Sequence, residues 1–313
     1  MGSFLYTLVD GLCIGSIYAL IALGYTMVYG IIKLINFAHG EFFMVGAYSA
    51  WGIFLVLPNS LTTIPAMVLT IIVGGLAGAS IAVLTEYIAY RPLRNSDRLT
   101  TLLTAIGVSF LLQNIFAMIK GGSTQNFRTY GNSDSSSVNY DFDKITSHSI
   151  PFLGDQNFQT FKFAFVAITM LLMIFLWFLT MRTRTGRAMR ATSQDLNAAL
   201  LMGIPINKII MLTFAIGGFF AGVAGTLNGM FYNVYPTMGF MPGLIAFVAA
   251  VVGGIGSIPG AVVGGLLIGV IQQLIVFSGV PSGYKDVGTF TLLIIVLVIR
   301  PQGLLGKVMK EKV

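Results

Sequence analysis

Long apolar runs separated by short polar breaks dominate this chain. They fall at Tyr6–Ile31, Phe42–Leu57, Ile64–Tyr90, Leu99–Ile119, Phe161–Met181, Ile209–Tyr232, Pro242–Gly254, Gly260–Phe277 and Val287–Ile299. The runs are continuous and lack the period-two alternation of a half-exposed strand. A helix needs about 20 residues to cross a hydrocarbon core of ~30 Å, and backbone in lipid must satisfy its own hydrogen bonds. The pattern predicts an all-α fold: a polytopic transmembrane helical bundle of about 8–9 hydrophobic segments, one of them short or re-entrant, in a single domain over residues 1–313.

Charge agrees with this picture and orients it. The chain is 56% hydrophobic and 9% charged, where a soluble domain carries about 25% charged residues. So few charges cannot solvate a surface, so lipid must cover it. The net charge of +7 points to cytoplasmic loops, and a nucleic-acid role would need basic residues clustered on a soluble face. Twelve of the eighteen Lys and Arg lie in three places: Arg91, Arg94 and Arg98; Arg182, Arg184, Arg187, Arg190 and Lys208; and Arg300, Lys307, Lys310 and Lys312. These loops are expected inside. Residues 121–160 are expected to form a polar extracytoplasmic loop, with Asp134, Asp141, Asp143 and Asp155 among Ser, Asn and Gly. The amino terminus then lies outside and the carboxyl terminus inside. The first run has no basic residue before it and no evident cleavage site, and is expected to remain as a span.

Parity exposes an irregular region. With 182–208 inside, the segment from Tyr232 to Lys285 must start and finish outside, yet its first apolar piece is short for a full crossing. A tight hairpin, or a re-entrant piece followed by a span, fits, with Gly253, Gly254, Gly256 and Pro259 breaking the helix. Broken backbone at membrane depth is tolerated inside protein or beside a water-filled cavity, so the break belongs either near a pathway or in a loop at the membrane surface. Many other glycines recur at four-residue spacing, including Gly11 and Gly15, Gly74 and Gly78, Gly218 and Gly222, and Gly265 and Gly269. Such spacing lays small residues along one helix face for close packing.

One stretch, INFAHGEFFMVGAY at Ile35–Tyr48, places Asn36, His39 and Glu41 together in apolar surroundings. Two readings fit. The three residues form a solvated turn, or they are buried beside a pathway, where an ionisable group costs about 2.5 to 3.5 kcal/mol on insertion scales and must find partners. In the buried reading Phe37 to Glu41 is a non-helical break, with Asn36 and Glu41 capping the next helix. No metal site is expected, because one His and one Glu give too few ligands and His148 lies in the outer loop. The single cysteine, Cys13, is expected to be a small packing residue. No nucleophile and base, paired carboxylates or metal cluster is assembled in the spans, and no catalytic residue is assigned.

The stretch INFAHGEFFMVGAY, preceded by GLCIGSIYALIALGYTMVYGI and followed by FVAAVVGGIGSIPGAVVGG and IRPQGLLG, resembles the permease subunits of bacterial branched-chain amino acid ABC importers. The resemblance covers nearly the whole chain outside the outer loop. It implies an inner-membrane protein that pairs with a second related permease, two cytoplasmic ATP-binding subunits and an extracytoplasmic substrate-binding protein. It also implies that residues 182–208 are a cytoplasmic ATPase-coupling loop. Permeases of this kind dock a short helix through a Glu-Ala-Ala, three residues, Gly pattern, which Asn197, Ala198, Ala199 and Gly203 follow with Asn in place of Glu. Asp195, Arg187 and Arg190 flank it, and Gly203 with Pro205 suits a helix end. The chain has no GxxxxGK[ST] loop, so ATP and Mg would be held by partner subunits and this chain would carry no cofactor of its own. The expected cargo is a branched-chain or other neutral amino acid, with Asn36, His39, Glu41, Gly253, Gly254 and Gly256 in the pathway or gate. Urea or short amides are the alternative cargo, and a self-sufficient channel or secondary transporter is the alternative mechanism.

Overall fold

The computed structural model describes residues 2–33, 36–57, 63–94, 96–125, 127, 147–149, 157–159 and 162–306. Most of the outer loop and the basic tail with Lys307, Lys310 and Lys312 therefore lie outside the described residues. In chain order the elements are α1 (Gly2–Ile32), α2 (His39–Phe54), α3 (Thr63–Thr85) with a π-helical turn (Glu86–Tyr90), α4 (Arg98–Lys120), the paired strands β1 (Ser147–Ser149) and β2 (Asn157–Gln159), α5 (Lys162–Arg182), α6 (Arg184–Gln194), α7 (Leu196–Leu201), α8 (Ile206–Phe231), α9 (Phe240–Gly253), α10 (Ile258–Phe277) and α11 (Lys285–Ile299). Among the described residues seven helices are long and apolar enough to cross a membrane, and Phe240–Gly253 is a shorter apolar helix, as its sequence length suggests. The chain is an all-α, multi-pass bundle.

Two compact units make up the chain. The first holds residues 1–33, 148–204 and 245–313. Its centre is the pair α1 and α10, which lie so close that a methyl group on Gly15 would stand 2.8 Å from the carbonyl oxygen of Gly265, and one on Gly269 would stand 2.3 Å from Gly15 Cα. The four-residue glycine spacing thus becomes a backbone-to-backbone seam, the means by which helices associate where lipid removes the hydrophobic drive. Side chains add hydrogen bonds across it. The Gln272 side chain accepts from Tyr18 Oη at 3.0 Å and donates to Thr289 Oγ1 at 2.9 Å and Asp286 Oδ1 at 3.1 Å, while Gln273 donates to Asp10 Oδ2 at 3.0 Å. Thr169 of α5 donates to the Ser16 carbonyl at 3.1 Å. Cys13 is buried against Leu5, Tyr6, Val9 and Val166, the packing role its sequence context suggests.

The second unit holds residues 34–147 and 205–244. Here α2, α3 and α8 form a three-helix core on the same physical principle. A methyl group on Gly46 would stand 2.4 Å from Gly222 Cα, one on Gly222 2.3 Å from the Gly74 carbonyl oxygen, and one on Gly78 2.4 Å from that of Gly218. Phe42, Phe43, Met44, Phe214, Phe220 and Leu227 fill the space around this seam and are fully buried. By contrast α4 touches the unit along one face and exposes Leu103, Phe110, Leu111, Met118 and Ile119. On the side opposite the charged loop of residues 91–98, Gln125 and Val234 exchange two backbone hydrogen bonds at 2.8 Å each, tying the exit of α4 to the exit of α8.

Candidate functional site

The polar triad Asn36, His39 and Glu41 is buried. Asn36 is 2% exposed, and His39 and Glu41 are each 1% exposed, which rules out a solvated turn. Its details differ from the expected break. The helix already begins at His39, so His39, Gly40 and Glu41 are helical, and no side chain caps that helix at Ala38. Asn36 does serve the backbone, because its Oδ1 accepts the Ala38 N–H at 3.0 Å just ahead of α2. Glu41 does not. Its Oε1 accepts from Ser109 Oγ at 2.9 Å and from Gln113 Nε2 at 2.7 Å, both on α4. Its other oxygen, the Nδ2 of Asn36 and the hydroxyl of Tyr48 are buried with no hydrogen-bond partner among the described residues. His39 lies edge-on to Phe42, ring centroids 5.5 Å apart. One step further from α2, the Tyr90 hydroxyl donates to Asn36 Oδ1 at 2.6 Å.

The geometry has a sequence cause. Ser109 and Gln113 are four residues apart, hence neighbours on one face of α4, and the seven residues from Glu41 to Tyr48 put both on one face of α2. That face meets α4 twice: Glu41 at Ser109 and Gln113, and Tyr48 at Phe116, with rings 5.0 Å apart. A carboxylate among two neutral donors, with one oxygen unoccupied, is an incompletely satisfied polar centre in a low-dielectric bundle. Such groups inside membrane spans mark sites of function.

The loop 182–208 folds into two short helices. Thr183 caps α6 by accepting the Gly186 N–H at 3.0 Å, and a methyl on Gly186 would stand 2.2 Å from the Leu179 carbonyl oxygen, so only glycine allows so sharp a turn from α5. Arg190 donates to the Thr180 carbonyl at the end of α5, where a cation suits the exposed carbonyls of a helix C-terminus. Arg187 is exposed. Asp195 caps α7, accepting the N–H groups of Asn197 at 2.8 Å and Ala198 at 3.1 Å. The next turn ends at Gly203, whose φ of +77° is a left-handed conformation that glycine adopts without strain. The two alanines divide their roles: Ala199 is buried and Ala198 exposed. Beyond them Leu200, Leu201 and Met202 are 61%, 88% and 82% exposed, an apolar tip on an otherwise basic loop.

Gly253, Gly254 and Gly256 belong to the first unit. They form the turn of an α9–α10 hairpin, with Gly254 at φ +105° and Gly256 at φ +89°. Ser257 caps α10 by accepting the Gly260 N–H at 3.2 Å. The turn is covered by the segment after α11: Leu304 N–H donates to Val252 O at 2.8 Å and Leu305 N–H to Gly253 O at 2.9 Å. The short apolar piece is thus a 14-residue helix that turns at these glycines into the 20-residue α10.

From sequence Glu86 is the clearest charge within the spans and is expected to pair near the surface with Arg91; it pairs instead with Arg94, and Arg91 stacks over Tyr87 at 5.4 Å. Tyr90, Ser109 and Gln113 were not singled out from sequence. Arg94 also bonds Asn207 Oδ1. Ser109 and Gln113 carried a signal, as polar groups at helical spacing within an apolar run. The pairing of Tyr90 with Asn36 across 54 positions carried none.

The multi-pass helical bundle, with seven helices able to cross a membrane among the described residues, is that of an integral membrane protein. The chain matches the family described as "Branched-chain amino acid transport system / permease component" over residues 7–297, and it belongs to that family. It is 42% identical over 317 residues to the "High-affinity branched-chain amino acid transport system permease protein LivH" of Escherichia coli (strain K12), which spans 99% of this chain and 98% of that protein. It is 44% identical over 319 residues to the corresponding BraD protein of Pseudomonas aeruginosa, with the same coverage of both chains. A "Probable branched-chain amino acid transport permease protein LivH" of Methanocaldococcus jannaschii is 28% identical over 93% of this chain and 89% of its own length.

Proposed function

We propose that this chain is the permease subunit of an ABC importer, forming the inner-membrane pathway for branched-chain amino acids, with transport driven by ATP hydrolysis in partner subunits. Membership of the permease family over nearly the full length supports the class. The observation that carries the mechanism is the α6–α7 hairpin. A six-residue helix cannot sustain itself in water, yet this one is capped at Asp195, ended at Gly203 and crowned by Leu200, Leu201 and Met202, all exposed. Exposed apolar side chains on a rigid, basic, cytoplasmic loop are a surface made for a partner protein. We assign that partner as the ATPase, with Arg187, Asn197 and Ala198 at the rim, while Asp195, Ala199, Arg190 and Gly203 hold the helix in shape.

The remaining partners are a second related permease, a second ATPase and an extracytoplasmic substrate-binding protein. The basic residues at 91–98 and 182–208 favour an outside amino terminus and an inside carboxyl terminus. The same charge rule places 121–160 outside, where it is available to the binding protein. Asn36, His39 and Glu41 are the polar lining or gate, and Gly253, Gly254 and Gly256 give the hairpin tip the flexibility to move with the tail.

The test is reconstitution of the purified importer in liposomes with its binding protein. Leucine should accumulate only with internal ATP and all partners present. If this chain alone moves leucine at full rate down a gradient, or with a proton gradient, a self-sufficient channel or secondary carrier replaces this reading. Accumulation of urea or short amides in place of leucine assigns the alternative cargo.

A further inference from the structure

We propose that Tyr90 and Arg94, on either side of a wide helical turn, are positioning residues that transmit movement of the ATPase-docking loop to the start of α2. The inference rests on the docking reading of residues 182–208 and goes beyond it by naming the route.

The first observation is the turn itself. At its cytoplasmic end α3 widens into a π-helix over Glu86–Tyr90, where Arg91 N–H reaches Glu86 O at 2.7 Å. Single π-turns are rare because they weaken backbone geometry, and they occur chiefly where a helix must present side chains in a functional register. Here the register serves two contacts that point to different segments.

On one side is Arg94. Glu86 is 1% exposed, and a buried carboxylate is tolerated only with a partner. Its partner is the Arg94 guanidinium, which is shared with Asn207 Oδ1 in the first turn of α8. Asn207 stands four residues after Gly203, the residue that ends the docking helix, and Lys208 and Ile209 N–H groups bond back to Pro205 O at 3.0 and 3.2 Å. Only residues 202–205 separate the docking helix from this turn. A shift of the docking helix therefore acts first on Asn207, and through the planar fork of Arg94 on the end of α3. A lysine would keep the charge but lose the two-pronged geometry.

On the other side is Tyr90. Its hydroxyl donates to Asn36 Oδ1, the same oxygen that accepts the Ala38 N–H before α2. Its ring leans on Phe214 of α8, centroids 5.5 Å apart. One turn of helix thus joins the entry of α8 to the entry of α2, which carries Glu41. Glu86, Tyr90 and Asn36 are buried and Arg94 is half-buried, whereas Asn207 is exposed, so the relay runs inward from a surface hydrogen bond. Contiguity alone does not establish coupling, so the test measures coupling.

The complete importer, with both permeases, both ATPases and the binding protein, is reconstituted, and leucine uptake and ATP hydrolysis are measured together for Tyr90→Phe, Arg94→Lys, Arg94→Ala and the double variant Tyr90→Phe/Arg94→Ala. Disulfide or maleimide cross-linking from Ala198→Cys to the ATPase is recorded in each. Every variant should keep the cross-link and lower leucine moved per ATP by about fivefold or more, the lower range of coupling between distant sites. The double variant should be no worse than the more severe single one, as expected for links in one chain. If Arg94→Ala fails to insert because Glu86 is left unpaired, Glu86→Gln/Arg94→Met removes both charges and should give the same loss. Retained cross-linking with uptake per ATP within about twofold of wild type, or a double variant whose loss is the product of the two singles, overturns the relay. Absence of the cross-link in an otherwise wild-type importer overturns the docking reading and the relay with it.

Discussion

Gln113 donates to one oxygen of the Glu41 carboxylate at 2.7 Å while the other oxygen is buried with no hydrogen-bond partner among the described residues. The centre is therefore held on one side and open on the other. Replacing Glu41 by Gln keeps the shape and the contact surface but removes the charge and turns one acceptor into a donor. Leucine uptake by the assembled importer should fall by about an order of magnitude, the scale of ~1.4 kcal/mol, with normal membrane expression. Uptake at the wild-type rate would remove Glu41 from the pathway.

Gln113→Ala acts on stability more than on chemistry. It removes a side-chain hydrogen bond between two membrane helices, worth about 0.6 kcal/mol on average and up to about 1.7. The purified complex should melt a few degrees lower in detergent, and Ser109→Ala should behave alike because it removes the second donor to the same oxygen.

The glycine seams can be tested against internal controls. A methyl on Gly222 would stand 2.3 Å from the Gly74 carbonyl oxygen, and one on Gly269 2.3 Å from Gly15 Cα, whereas nothing lies within 4 Å of the corresponding position at Gly52 or Gly107. Gly222→Ala and Gly269→Ala should cost about 1 to 3 kcal/mol through overpacking. Gly52→Ala and Gly107→Ala should be neutral or gain up to about 1 kcal/mol from helix propensity. Thermal unfolding of the four variants separates the two classes.

In the docking loop, exposure and burial predict opposite failures. Leu201→Asp and Met202→Asp alter residues 88% and 82% exposed, so insertion and thermal stability should be unchanged while the ATPase is lost on copurification. Ala199→Trp places a large ring at a buried position and should unfold the loop itself. Protease sensitivity of residues 182–208 distinguishes these outcomes.

Asp195→Ala removes the cap of α7, a change worth about 1 kcal/mol. For a helix of six residues that is enough to fray it. ATPase binding should weaken about fivefold, and Asp195→Asn, which keeps an acceptor oxygen, should restore most of it.

The apolar pattern of the chain determined by itself that the protein is a helical membrane bundle with a short apolar segment among its helices. This follows because lipid imposes a local rule: each spanning segment must satisfy its own backbone and be apolar along its length. Gly203, Gly254 and Gly256 were legible for a similar reason, since helix ends and left-handed turns are solved within a few residues. The four-residue glycine spacing announced close packing but not its partners; only the folded chain matches Gly15 with Gly265 and Gly46 with Gly222. Burial of Asn36, His39 and Glu41, the turning of Arg190 back onto Thr180, and the choice of Arg94 over Arg91 by Glu86 were likewise decided by tertiary structure. A charged or polar side chain in a low-dielectric bundle takes whichever partner the packing of distant helices brings within about 3 Å, and no local stretch of sequence encodes that distance.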